Sequence, residues 1–178
     1  VTPLTATAAT TVTVAGNMGI SFIGGLTQTT LTSLDASGLT ASGAFGGLTW
    51  TSGALAASSV IKGSAAGTNT VIFSAANTAS TFVTYTGGTG ADTITGSNGR
   101  NNVVDLGNGT NSFTNGGGAG NQTVTGGTGV DTITTGTGAD VINAGAGADV
   151  ISSGTGLDLL TGGAGNDAFT VVVNSNGN

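Results

Sequence analysis

Aspartate recurs every nine residues towards the end of this sequence, at Asp131, Asp140, Asp149, Asp158 and Asp167. Each has a glycine two places before it and a large apolar residue two places after it. The chain has 8 acidic residues, all Asp, against only Lys62 and Arg100, for a net charge of −6. Carboxylates on such a schedule, set among glycine carbonyls, make a hard-oxygen donor set, which suits Ca²⁺. Mg²⁺ fits less well, since it demands a compact octahedron and keeps its waters. Zn²⁺ is disfavoured because the chain has no Cys and no His.

Those aspartates belong to a longer pattern, G-G-x-G-x-D-x-U-x, with U a large apolar residue. Nine copies can be laid down, starting at Gly87, Gly96, Leu106, Gly117, Gly126, Thr135, Ala144, Ser153 and Gly162. Asp105 is read as an insertion before the third copy, and Asn115 with Gly116 as one before the fourth. Position eight is apolar throughout: Ile94, Val103, Phe113, Val124, Ile133, Ile142, Ile151, Leu160 and Phe169. Position nine is nearly always Thr, Ser or Asn, and position seven is mostly small or polar. That alternation predicts very short strands, each with one side chain pointing inward. Such a strand cannot bury its apolar residue alone, so successive copies must stack as a solenoid. Each buried Ile, Leu or Phe contributes about 1.5–3 kcal/mol, and chain entropy offsets much of it. So thin a column needs further support.

Position six reads Asp92, Asn101, Asn111, Gln122, Asp131, Asp140, Asp149, Asp158 and Asp167, which leaves only Asp35 and Asp105 elsewhere. If two copies form one coil, Asp131, Asp149 and Asp167 line one edge of the roll, and Asp140 and Asp158 line the other. Coils stack about 4.8 Å apart, and carboxylates aligned that closely repel. A divalent cation between coils reverses the sign. Three sites are therefore expected, between Asp131 and Asp149, Asp149 and Asp167, and Asp140 and Asp158. Backbone carbonyls around Gly126, Gly127, Gly129, Gly136, Gly138, Gly145, Gly147, Gly154, Gly156, Gly162, Gly163 and Gly165 complete them. Asp92, Asn101, Asn111 and Gln122 should make weak sites, because an amide oxygen can ligate but brings no charge. The competing reading is turn chemistry alone, since Asp after Gly is a good turn residue. It accounts poorly for five consecutive copies with a fixed apolar partner.

Composition agrees with an all-β fold. Gly supplies 35 of 178 residues, with a single Pro, which destabilises helices and suits repeated tight turns. Thr, Val and Ile favour strands between those turns, and no helix is predicted. Only 6% of residues are charged, against about 25% in ordinary soluble proteins. A weakly acidic surface without Lys/Arg stripes excludes nucleic acid as a partner. No apolar run approaches the roughly 18 residues of a membrane span. With no Cys, disulfides are excluded. No signal peptide is visible at the N-terminus, and the start at Val1 suggests a processed or partial chain.

The copies "GGTGADTIT", "GGTGVDTIT" and "GGAGNDAFT" resemble the RTX repeat of secreted bacterial proteins at every fixed place. "TGTGADVIN", "AGAGADVIS" and "SGTGLDLLT" lose only the first glycine. The resemblance covers Gly87 to Thr170, and it implies a parallel β-roll with Ca²⁺ in its turns, type I secretion and folding outside the cell. The expected organisation is a β-rich, degenerate solenoid-like segment over 1–86, the calcium-binding roll over 87–170 and a tail over 171–178. In the first segment, "GSAAGTNTVIF" from Gly63 looks like a decayed relative of the repeat, so the solenoid is open to an earlier start. "LDASGLT", "LTWTSGA" and "GSAAGTNTV" are similar to pieces of Gram-negative RTX surface-layer (S-layer) proteins. "VVVNSNGN" does not look like a complete copy of the family's C-terminal export signal.

Three classes of function are weighed. An enzyme is disfavoured: without His or Glu there is neither H-E-x-x-H nor a Ser-His-Asp triad, "SGAFGG" is no nucleophile elbow, and nothing near Lys62 activates it. A structural surface protein suits the low charge and repeat architecture. Its expected setting is the outside of a Gram-negative cell, its main partner further copies of itself in an oligomer or lattice, with a cell-surface polysaccharide as a second partner. The alternative is a calcium-rigidified segment of an RTX adhesin that binds glycan, cells or ice. Against ice, Thr at position three (Thr89, Thr128, Thr137, Thr155) is interrupted by Asn98, Asn108, Ala119, Ala146 and Ala164. Trp50 and Tyr85 are open to a glycan-stacking role or to the core. Asp35 is read as a turn cap ahead of a metal ligand, and Asp105 as a turn residue.

Overall fold

The computed structural model describes residues 9–22, 30–56, 58–74, 82–97, 99–115 and 117–172. Of the tail expected over 171–178, only Val171 and Val172 lie among them. Sixteen strands follow in order: β1 (Thr11–Gly16), β2 (Ile20–Phe22), β3 (Ser33–Leu39), β4 (Leu48–Thr51), β5 (Ser59–Lys62), β6 (Thr70–Ile72), β7 (Val83–Gly88), β8 (Thr93–Thr95), β9 (Asn102–Gly107), β10 (Ser112–Thr114), β11 (Gln122–Thr128), β12 (Thr132–Thr134), β13 (Val141–Ala146), β14 (Val150–Gly154), β15 (Leu159–Ala164) and β16 (Ala168–Val171). No helix occurs among the described residues. Odd strands form one eight-stranded sheet and even strands another, each in chain order and parallel throughout. The protein is a parallel β-solenoid in which each coil adds one strand to each face.

Strand alternation fills the space between the sheets. From the even sheet, Trp50, Val71, Ile94, Phe113, Ile133 and Ile151 stack in register. From the odd sheet, Leu34, Ile61, Tyr85, Val104, Val124 and Ile142 do the same. All twelve are buried. Burial of Trp50 and Tyr85 removes them as a glycan platform. Both sheets continue through the first half of the chain, and β7 runs across the position where the recognisable copies begin.

The register corrects the reading of the second copy. Val104, not Val103, pairs with Tyr85 and Val124 and points inward, while Val103 is exposed. The extra residue therefore sits in the turn before β9 rather than at Asp105 within it. This brings Asn102, not Asn101, opposite Gln122. Asp105 accordingly lies within β9 on the outer face, between Thr86 and Thr125, and its Oδ1 accepts the N–H of Gly107 at 3.1 Å. Asp35 is likewise on a strand, accepting from Ser37 at the N–H and the hydroxyl and pairing with Lys62 at 3.2 Å. Phe169, on the edge strand β16, remains 47% exposed because only β14 flanks it.

Candidate metal centre

The turns joining the two sheets form two edges, and position six builds a hydrogen-bonded ladder along each. On the first edge, each residue's backbone N–H donates to the side-chain oxygen of its successor one coil on. Asn69 donates to Asp92 (2.8 Å), Asp92 to Asn111 (2.9 Å), Asn111 to Asp131 (2.9 Å), Asp131 to Asp149 (2.8 Å) and Asp149 to Asp167 (3.0 Å). On the second edge, Gln122 donates to Asp140 (2.7 Å) and Asp140 to Asp158 (3.0 Å). The alternation expected of two copies per coil is therefore present, with the aspartates 18 residues apart. One carboxylate oxygen of each stacked aspartate serves the backbone.

The other oxygen behaves differently at amide and acid turns. Asn111 Nδ2 donates to the carbonyls of Gly107 and Gly109, both at 3.3 Å. Asn69 Nδ2 reaches the carbonyls of Ser64 and Gly67, and Gln122 Nε2 those of Arg100 and Gly120. Each amide thus fills its turn with N–H groups. At Asp131, Asp140 and Asp149 the corresponding atom is Oδ2, which is buried and has no hydrogen-bond partner. Buried polar atoms are nearly always paired, and an orphan points to a missing ion or water. Here the orphan is an acceptor facing acceptors. A cation resolves that arrangement.

Packing around these oxygens is tight enough to require glycine. A side chain at Gly126 would collide with Asp131 Oδ2 and the Ala144 carbonyl, and one at Gly162 with the Asp167 carboxylate. Gly145 has φ +102°, and a Cβ there would strike the carbonyl of Gly127 one coil back. Among the described residues no three acidic side chains converge, so a cation would be held by one or two carboxylates and by carbonyls. That is a Ca²⁺-like donor set, and the residues present fit it. Asp131, Asp140 and Asp149 are fully buried, while Asp158 and Asp167 on the last coil are half-buried.

Electrostatics follow from burial. Desolvation pushes the Asp131 carboxyl up to about 6, with the Asp149 charge adding to it and the Asn111 N–H opposing it. Burial also raises Asp140, with Asp158 contributing. Asp92 is raised by burial too, although protein donors surround it: Asn69 N–H and Nδ2 reach Oδ1, while Asn69 Nδ2 and the Tyr85 hydroxyl reach Oδ2.

The family model of the RTX calcium-binding nonapeptide repeat (4 copies) matches residues 84–113, 116–151 and 145–170. The matched stretches between residues 84 and 170 are therefore similar to RTX repeats. RTX repeats bind calcium and are typical of secreted proteins, and among the described residues no helix is long and apolar enough to cross a membrane. Comparisons with curated proteins and with solved structures find no match. The RTX match stops short of Asn69, which the ladder nevertheless includes. Its signal is present in "SAAGTNTVI", where Asn69 and Val71 stand at positions six and eight. Asn102 was hidden by the misplaced insertion, and its Nδ2 donates to Gln122 Oε1 at 2.6 Å. Asn101 instead accepts the N–H of Asn121 outside the ladder.

Proposed function

We propose that this chain is a calcium-dependent structural protein of the cell exterior, an S-layer or similar assembly subunit that folds after type I secretion. The observation that carries the reading is the partnerless, buried Oδ2 of Asp131, Asp140 and Asp149. It supports three sites, between Asp131 and Asp149, Asp149 and Asp167, and Asp140 and Asp158. Bound there, Ca²⁺ supplies the positive charge that lets like-charged rungs stack. The aspartates also tie coil to coil through their Oδ1 atoms, and the glycines bring backbone close enough for carbonyls to share the site. At cytosolic calcium the carboxylates oppose the roll and keep the chain export-competent. Extracellular modules of this kind bind in the range of about 10⁻⁴–10⁻³ M.

Self-association is supported by the outer face of the odd sheet. One register column there reads Val60, Thr84, Val103, Thr123, Val141 and Leu159, with the four apolar members 42%, 36%, 43% and 63% exposed. This mixed Val/Leu/Thr column runs beside a second outward column that holds Asp35, Lys62 and Asp105, and its apolar members offer the contact area for face-to-face packing of copies. Light scattering in millimolar Ca²⁺ and in EGTA tests it. Calcium-dependent particles larger than a monomer are expected, and monomers in both conditions would refute assembly.

A second reading, the RTX adhesin, gains support from the even sheet. Two outward columns there are largely hydroxylic: Thr49, Thr70, Thr93, Ser112 and Thr132 in one, and Thr95, Thr114, Thr134, Ser152 and Thr170 in the other. These are positions seven and nine of the repeat, not position three. Ice-shaping or glycan-array binding by the calcium-loaded chain would favour the adhesin over the assembly subunit.

A further inference from the structure

We propose that Asn69, Asn111 and Gln122 are built-in replacements for the metal, so that the coils they hold keep their fold without calcium. The proposal rests on the reading that Ca²⁺ occupies the turns from Asp131 to Asp167. Each of the first-edge amides, Asn69 and Asn111, does two things at once. Its oxygen accepts a backbone N–H from the preceding coil on the first edge, as Asn69 does from Leu48 and Asn111 from Asp92. Its nitrogen donates to two carbonyls of the turn stack. Only that orientation satisfies both sets of backbone groups, because an N–H needs an oxygen and a carbonyl needs a donor. Gln122 repeats the nitrogen half of the scheme on the second edge, towards Arg100 and Gly120. An aspartate at the same place supplies oxygen twice and leaves the carbonyls facing a negative charge.

Asp92 is the exception that fits. It is the only acid in the ladder upstream of Asp131, and it lies between two amide rungs. Its carboxylate takes up the Asn69 amide and the Tyr85 hydroxyl, the latter at 3.0 Å. Protein donors thus surround it as a cation would.

The solenoid is accordingly divided. Along the first edge, up to β10, the rungs Asn69, Asp92 and Asn111 are each satisfied by groups of their own chain, while on the second edge Asn102 Oδ1 is buried without a partner. From β12 to β16 the rungs are carboxylates with a partnerless oxygen or with half-burial on the last coil. In a repeat protein stability is carried from neighbour to neighbour, so the first section forms a platform on which the acid coils stack once calcium arrives.

Hydrogen–deuterium exchange on the full chain, read by mass spectrometry in EGTA and in millimolar CaCl₂, tests the division. Peptides covering β3, β5, β7 and β9 should be protected in both buffers, and those covering β13 to β16 only in calcium. Full exchange of β3 to β9 in EGTA overturns the inference and leaves calcium-driven folding standing. Equal protection of β13 to β16 in both buffers overturns the calcium reading and the division with it. Two variants tighten the test. Asn111→Asp should add one Ca²⁺ per chain in equilibrium dialysis and make protection of β9 and β11 calcium-dependent. Asp149→Asn should raise protection of β13 and β14 in EGTA about threefold to tenfold, the scale of one net hydrogen bond. Unchanged stoichiometry in the first and unchanged protection in the second would each overturn the proposal.

Discussion

The backbone N–H of Asp131 donates to Oδ1 of Asp149 at 2.8 Å, across one coil, while Oδ2 of both residues stays buried without a partner. Two like charges are thereby locked into adjacent layers by a bond that a neutral side chain could also make. The charge is surplus to the hydrogen-bond ladder. Its use must lie in what the remaining oxygens can hold.

Asp149 stands at the centre of that arrangement, since it accepts from Asp131 and donates to Asp167. Asp149→Ala is expected to lower calcium stoichiometry by two, measured by equilibrium dialysis or isothermal titration. Asp92→Ala should leave stoichiometry unchanged, because its oxygens already serve Asn69 and Tyr85. It should instead cost about 1–3 kcal/mol of stability by orphaning those donors. Equal calcium losses in the two variants would contradict the assignment.

The core can be tested apart from the metal. Phe113 is fully buried between Ile94 and Ile133 and has no polar atom near the ladder. Phe113→Ala should destabilise by about 3–5 kcal/mol through cavity formation. Thermal melts at saturating calcium should show the loss. Calcium bound per folded chain should not change, because no ladder residue is touched.

Much of this was legible in the residues. Nine-residue spacing of Asp with a fixed apolar partner gave the parallel roll, its two edges and the pairing of Asp131 with Asp149. Three things were not. The insertion in the second copy admits two placements in sequence, and only the pairing of Val104 with Val124 decides between them. The first half hides its coils because Asn69 is followed by a 23-residue step to Asp92, so no short period shows. The opposite use of amide and acid at position six depends on where a nitrogen points, which spacing does not encode.

Replacing a glycine with positive φ has a cost that depends on what surrounds it. Gly145 combines φ +102° with the Gly127 carbonyl where a Cβ would go. Gly117 has φ +81° but open space around it. Each substitution to Ala should carry backbone strain of about 1–3 kcal/mol, and Gly145→Ala should exceed Gly117→Ala because its coil must also move away from its neighbour. Melting temperatures at saturating calcium give the ranking, and the reverse order would rule out close coil stacking as the reason for glycine.

Proton binding should imitate calcium in part. Burial lifts Asp131 to about 6 from 3.8, and it lifts Asp140 and Asp92 in the same direction. A carboxyl whose folded value is raised favours the folded state when protonated. Its contribution is fully present below about 3.8 and is lost as pH rises through about 6. In buffer stripped of calcium by chelating resin, β12 to β16 should therefore be better protected at pH 4 than at pH 7. In millimolar calcium the trend should reverse, because protons displace the cation from the same oxygens and affinity falls below about pH 6. Circular dichroism across this range, with and without calcium, reads both slopes. Parallel slopes would mean that the aspartates hold no metal in the fold, and flat ones that they hold no proton there either.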